Sequence, residues 1–182
     1  MDRRTYLLAA ALTTGTAGCS GVLPQSGGSG EISVVDSRKV EGRIVEQSAT
    51  PPEYTARIEN TGITGELRVE LYWNPGEEQA ETPAATTRVA IESGARRSVT
   101  LSADRPASAD SYGFRLRSMD FAAEIQNTGA ETTVRVQFVQ QLSGTVRAET
   151  ERVVPGGETA TVDFRIPEGY AGEYEIRALT NR

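Results

Sequence analysis

The sequence predicts an all-β protein built as two small β-sandwich units in tandem, and three observations carry that expectation. From residue 31 onward, short stretches alternate apolar and polar residues, the period of a half-buried strand. Turns rich in Gly, Pro, Asn and Thr separate them, and no run of ten or more residues beyond the N-terminal segment keeps a helical period. The chain also repeats itself at a separation of about 67 residues, longer than most solenoid repeats, so each copy should be a small β unit.

The first 30 residues read differently. "MDRRTYLLAAALTTGTAGCSG" has a charged start at Arg3 and Arg4, an apolar and small-residue segment, and small residues up to Cys19, the layout of an export signal. That run falls short of the roughly 20 apolar residues a bilayer span requires. "RRTYLL" resembles the twin-arginine signal, and "TAGC" (Thr16, Ala17, Gly18, Cys19) resembles a lipobox. The resemblance implies a signal peptide over 1–18, cleavage before Cys19 and lipid on its sulfur. Bacterial lipoboxes usually carry Leu where Thr16 stands; looser boxes occur in haloarchaeal proteins.

Other roles for Cys19 fit poorly. It is the single cysteine, so it has no intrachain disulfide partner, and its neighbours are Thr, Gly and Ser rather than a core. A catalytic thiolate needs an activating base such as histidine, and the chain has none. The next segment, "SGVLPQSGGSG", is a Gly/Ser-rich coil whose eleven residues reach about 18 Å. It suits a tether over 19–30, although a purposeless disordered tail has the same composition. A single acyl chain binds marginally, so the dialkyl lipid that the resemblance implies would hold the protein permanently.

The strands follow. "EISVVDS" and "GRIVEQ" form an extra strand pair ahead of the repeat. "YTARIE" then places Tyr54, Ala56 and Ile58 on one face, and "ELRVELYW" sets Leu67, Val69, Leu71 and Trp73 against Arg68, Glu70 and Tyr72. "VRVQF" and "TATVDFRI" repeat the alternation. "YTARIENTGITGELRVELYW" aligns without a gap on "FAAEIQNTGAETTVRVQFVQ"; "SGARRSVTL" corresponds to "PGGETATVDF", and "SYGFRLR" to "GEYEIRA". In each "NTG", Asn can hydrogen-bond its own turn and Gly accepts a positive φ, so the tripeptide is punctuation rather than chemistry.

Alternating strand, "NTG", second strand, "pGe", third strand and aromatic-containing last strand: this layout resembles the immunoglobulin-like surface repeats grouped as CARDB or FxLYD-type domains. The resemblance covers most of Tyr54 to Leu179 and implies an extracellular sandwich used in adhesion, assembly or ligand presentation, with no shared catalytic set. Trp73 matches the core tryptophan of immunoglobulin domains only in part, since its repeat counterpart is Gln140 and no disulfide lies beneath it. It reads as core or core edge of the first unit. The expected units are 31–118 and 119–182. Units this small bury too little of their surface to stand alone, so the halves should pack together; the alternative is one pseudo-symmetric sandwich.

Composition limits the function. With 37% hydrophobic residues among 182 and 24% charged, the chain is globular rather than disordered. Net charge is -6 and no basic stripe stands out in the sequence, which argues against a nucleic-acid partner. Lys39 is the only lysine among 19 basic residues. An acidic, lysine-poor chain resembles the proteins of salt-loving archaea; GC-rich codon usage gives the same bias.

Without histidine there is no Ser-His-Asp triad and no His-ligated zinc. The loop "NPGEEQAETPAATT" gathers Glu77, Glu78 and Glu81; it lacks a calcium-loop pattern and reads as a solvated surface. It is still the first place to look for partner binding, because binding residues concentrate in loops displayed by a rigid sheet. No cofactor or metal is expected, and no nucleotide loop or N-glycan acceptor is found. The expected function is a membrane-anchored, extracytoplasmic, non-enzymatic binding, adhesion or assembly module, with membrane lipid and an unidentified surface protein or ligand as partners. The alternatives are an accessory subunit of a membrane transporter or secretion complex and, more remotely, a carboxylate-dependent hydrolase.

Overall fold

The computed structural model describes residues 32–74 and 82–180, and these form strands and turns with no helix. β1 (Ile32–Lys39), β2 (Gly42–Thr50), β3 (Glu53–Asn60), β4 (Gly65–Asn74), β5 (Ala85–Ile91) and β6 (Arg96–Ser102) precede a long β7 (Ser111–Asn127). β8 (Thr132–Gln140), β9 (Val146–Val154), β10 (Thr159–Tyr170) and β11 (Tyr174–Thr180) follow. The all-β expectation holds.

All pairings are antiparallel, and they repeat. β3 lies between β2 and β6, and the second half of β7 lies between β1 and β10 in the matching register. β4 lies between β5 and the first half of β7, and β8 lies between β9 and β11. Tyr54 faces Leu101 where Phe121 faces Phe164, and Trp73 faces Tyr112 where Gln140 faces Tyr174. The sequence repeat is therefore a repeat of strand pairing. It needs no linker because β7 is the last strand of one copy and the first repeat strand of the next.

Two hydrophobic clusters result. The first gathers Tyr54, Ile58, Leu67, Leu71 and Leu101, with Trp73, Tyr112 and Phe114 packed at its edge. The Tyr54 ring meets Trp73 and Tyr112 edge-on at 5.1 and 4.9 Å. The second is built on Phe121, Ile125, Val136, Phe138 and Phe164, with Phe138 edge-on to Phe121 at 4.6 Å and stacked on Tyr174 at 5.0 Å. Along β7 the core-facing positions are even before Ser118 (Tyr112, Phe114, Leu116) and odd beyond it (Phe121, Ala123, Ile125). Successive side chains of a strand point to opposite faces, so the clusters lie on opposite faces of the shared sheet.

The upstream strands differ from expectation. "EISVVDS" and "GRIVEQ" form β1 and β2, but these do not pair with each other inside one unit. β1 pairs with Phe121–Asn127 of β7 and sends Ile32 and Val34 into the second cluster, whereas β2 pairs with β3. The physical reason is register. Each strand has a bulge after the residue facing the equivalent isoleucine, Val34 opposite Ile125 and Ile44 opposite Ile58. "VVD" and "IVE", ten residues apart, are thus copies of one bulged edge strand. The chain starts in the second sandwich, builds the first and returns.

Each "NTG" asparagine is fully buried. Asn60 donates to the carbonyls of Ile63 (2.7 Å) and Ile91 (3.2 Å) and accepts from the amides of Glu41 and Gly62. Asn127 donates to Ala130 (2.7 Å) and Val154 (2.8 Å) and accepts from Gly129. Ile91 and Val154 end strands of the facing sheet, so each side chain ties the two sheets together. Opposite each asparagine is a glycine of positive φ, Gly94 at 73° and Gly157 at 78°, whose amide bonds the asparagine carbonyl. Side chains rarely adopt that conformation.

β7 fixes the long axis: its 17 residues extend about 55 Å. Ile32, the first described residue, pairs with Asn127 at one end. At the other end, Asn74 pairs with Ser111 and Thr50 with Glu53. The strand ends that flank the β2–β3, β4–β5 and β6–β7 connections therefore share the end of the axis farthest from Ile32.

Candidate functional site

The residues singled out from sequence, Arg3, Arg4, Thr16, Ala17, Gly18 and Cys19 at the N-terminus and Glu77, Glu78 and Glu81 in the β4–β5 connection, lie outside the described residues. What the described residues bring together instead is a cluster of arginines on the back of the β5–β4–β7 sheet.

Alternation produces it. Leu67, Val69 and Leu71 enter the first cluster, which turns Arg68, Glu70 and Tyr72 to the opposite face. Register then sets Arg88 of β5 and Arg117 of β7 beside Arg68, one on each side, and Arg115 beside Glu70. Because the core side switches along β7, this back face is the face on which the second cluster is built farther along. The arginines therefore occupy a crook where the first sheet meets the second sandwich. The end of β10 closes it from one side: Arg88 donates to the Pro167 carbonyl at 3.2 Å.

Glu70 is the centre, with 2% of its surface exposed. It accepts hydrogen bonds from Arg117 Nε (2.9 Å) and Tyr72 OH (2.7 Å). Arg68 Nε lies 3.0 Å from the other carboxylate oxygen, near enough for an ion pair but not aligned for a hydrogen bond. Arg115 covers Tyr72, its guanidinium 4.3 Å from the ring centroid, a cation–π contact. Tyr72 is buried as well.

Burial pushes the Glu70 carboxyl up, but bonds from Arg117 and Tyr72 and the charges of Arg117 and Arg68 outweigh it, holding it below its ordinary value of 4.5. A carboxyl whose folded pKa is lowered stabilises the fold above the unfolded value, and that contribution is lost as pH falls through the folded value. We expect the Tm to drop as pH falls from the ordinary carboxyl value of 4.5 through the lower folded value, and Glu70→Gln to flatten that drop in circular-dichroism melts. Glu59, lowered by hydrogen bonds from Arg43 and Arg96, keeps some slope in the variant. An unchanged slope in Glu70→Gln would exclude Glu70 as a carrier.

A second ionic group joins the halves. Arg165 of β10 pairs with Glu66 of β4 and, at 3.3 Å, with Asp120 of β7. Asp120 also accepts from the Glu66 amide at 2.6 Å, and Ser118 Oγ bonds the Val40 carbonyl where β1 gives way to β2. Glu66 and Asp120 meet on one guanidinium, which ties β4, β7 and β10 together at the junction.

The described residues form an all-β, antiparallel fold in which Arg68 and Arg117 flank one buried carboxylate, Glu70. No protein-family model matches the chain, and no curated protein matches it.

Proposed function

We propose that the chain is a membrane-anchored, extracytoplasmic lipoprotein acting as a non-enzymatic binding, adhesion or assembly module. The observation that supports this reading is polarity: β1, the first described strand, starts at one end of β7, and the strand ends that flank the β2–β3, β4–β5 and β6–β7 connections lie at the other. A body anchored at Cys19 would hold those connections outward on about 55 Å of rigid sheet. The crook of arginines offers a second recognition surface nearer the middle.

The test compares the full chain with Cys19→Ser in its native host, by detergent-phase partitioning and intact mass. Native protein should partition with detergent and carry added lipid mass on Cys19, and the variant should move to the aqueous phase. Equal partitioning with an unmodified sulfur rejects the anchor. Arg3,Arg4→Lys,Lys tests the export route, which unchanged export would reject.

A further inference from the structure

We propose that the arginine crook is a binding site for a small tetrahedral oxyanion, phosphate or sulfate, held between Arg68, Arg88 and Arg117. The inference deepens the reading of the chain as a binding module and rests on it. Three arginines stand abreast on adjacent strands, Arg88 beside Arg68 beside Arg117, an arrangement of like charges that disfavours the sheet. Glu70 supplies one negative charge to this group, while Glu66 is engaged by Arg165. Among the described residues, the carboxylate bound to the Arg68 and Arg117 side chains is the single one of Glu70, in a chain of net charge -6.

The fold does not require this. At the matching places of the second sandwich, Glu151, Arg135 and Leu179 occupy the row, and Glu149, Gln137 and Arg177 stand where Thr86, Glu70 and Arg115 do. There Arg135 and Gln137 both approach Glu149, and charge is balanced within the sheet. Only the copy whose back face lies in the crook has exchanged balance for arginine.

The geometry also prepares the guanidiniums. Buried Glu70 holds Arg117 and Arg68 through their Nε atoms, and Tyr72 lies under Arg115. About a third of the Arg68 and Arg117 side chains remains exposed, 28% and 30%. Neighbouring strands are about 4.8 Å apart, a spacing that lets planar guanidinium forks converge on one tetrahedral oxyanion.

The test uses the full chain in detergent and sodium phosphate, sodium sulfate and sodium chloride at matched ionic strength. Arginine Nε–Hε NMR signals report binding. Phosphate and sulfate should give saturable shifts at Arg68 and Arg117 that chloride does not. Arg88→Gln should weaken binding about tenfold, with Arg97→Gln as the surface control and an unchanged far-ultraviolet spectrum as the check on folding. Shifts that follow ionic strength whatever the anion, or a folded Arg88→Gln that binds as tightly as native, overturn the site. In a vesicle arm with Cys19→Ser, flotation with phosphatidylglycerol vesicles that Arg88→Gln abolishes would assign the phosphate to lipid and overturn the small-ion assignment. Phosphate binding without lipid on Cys19 would reject the anchor alone, and lipid on Cys19 without phosphate binding would reject this site alone.

Discussion

A chain beginning at Val40 should lose its second hydrophobic cluster and keep its first, although the deletion is at the N-terminus, next in sequence to the first. Removing β1 strips Ile32 and Val34 from the cluster around Phe121 and Phe138 and leaves one edge of β7 from Phe121 to Asn127 without a partner. Two half-buried aliphatic side chains contribute about 2 kcal/mol together, and the lost ladder adds to that in a unit of marginal size. Hydrogen exchange is the measurement: amides of β8, β10 and β11 should exchange as in an unfolded chain, while those of β3, β4 and β6 stay protected. Retained protection in β8 would contradict the pairing of β1. Val34→Asp, which keeps the strand but charges its core-facing position, should give the same pattern at smaller amplitude.

Asn127→Ala and Asn60→Ala should each destabilise by about 3 kcal/mol, more than ordinary surface changes in turns. In each case two carbonyls, Ala130 and Val154 or Ile63 and Ile91, lose the donor they share. An orphaned buried acceptor costs about 1–3 kcal/mol. Aspartate is no remedy, because a carboxylate turned toward two carbonyls supplies no donor. Urea titration of the single variants reads the effect; a loss below about 1 kcal/mol at both sites would show that water replaces the side-chain bonds.

These asparagines show how far the sequence speaks. "NTG" signals a turn, and the turns fall where the tripeptides lie, between β3 and β4 and between β7 and β8. That the asparagine also reaches the facing sheet depends on strands ending some 30 residues later, at Ile91 and Val154, which local pattern does not encode. Alternation likewise made β4 and β8 readable, because one face of each is buried almost completely. β2 is mostly exposed, so its burial gives little indication of its partner. The signal that separates β1 from β2 is the ten-residue echo of "VVD" in "IVE", too short to stand out against composition.

The arginine crook was hidden for a different reason. Arg68, Arg88 and Arg117 are 20 and 29 residues apart, and no sequence window contains them all. Each reads singly as the solvated face of an alternating strand. Their meeting follows from register and from the change of core side along β7, both properties of pairing rather than of any segment. The absence of a basic run in the sequence is therefore compatible with a cationic site in the fold.

The interleaved path of the chain bears on its synthesis. β1 leaves the ribosome about 80–95 residues before the part of β7 it pairs with, a delay of roughly 5–20 s at ordinary elongation rates. The first sandwich can close during that interval from strands already made, since β2 through the first half of β7 includes every partner it uses. β1 must wait as an unpaired edge until the second half of β7 emerges, and the cluster it joins closes only when β10 and β11 follow. Completion of the body is thus a late event that needs nearly the whole chain, and an export route that admits only finished proteins would meet this one after its last strand, not its first, has found its place.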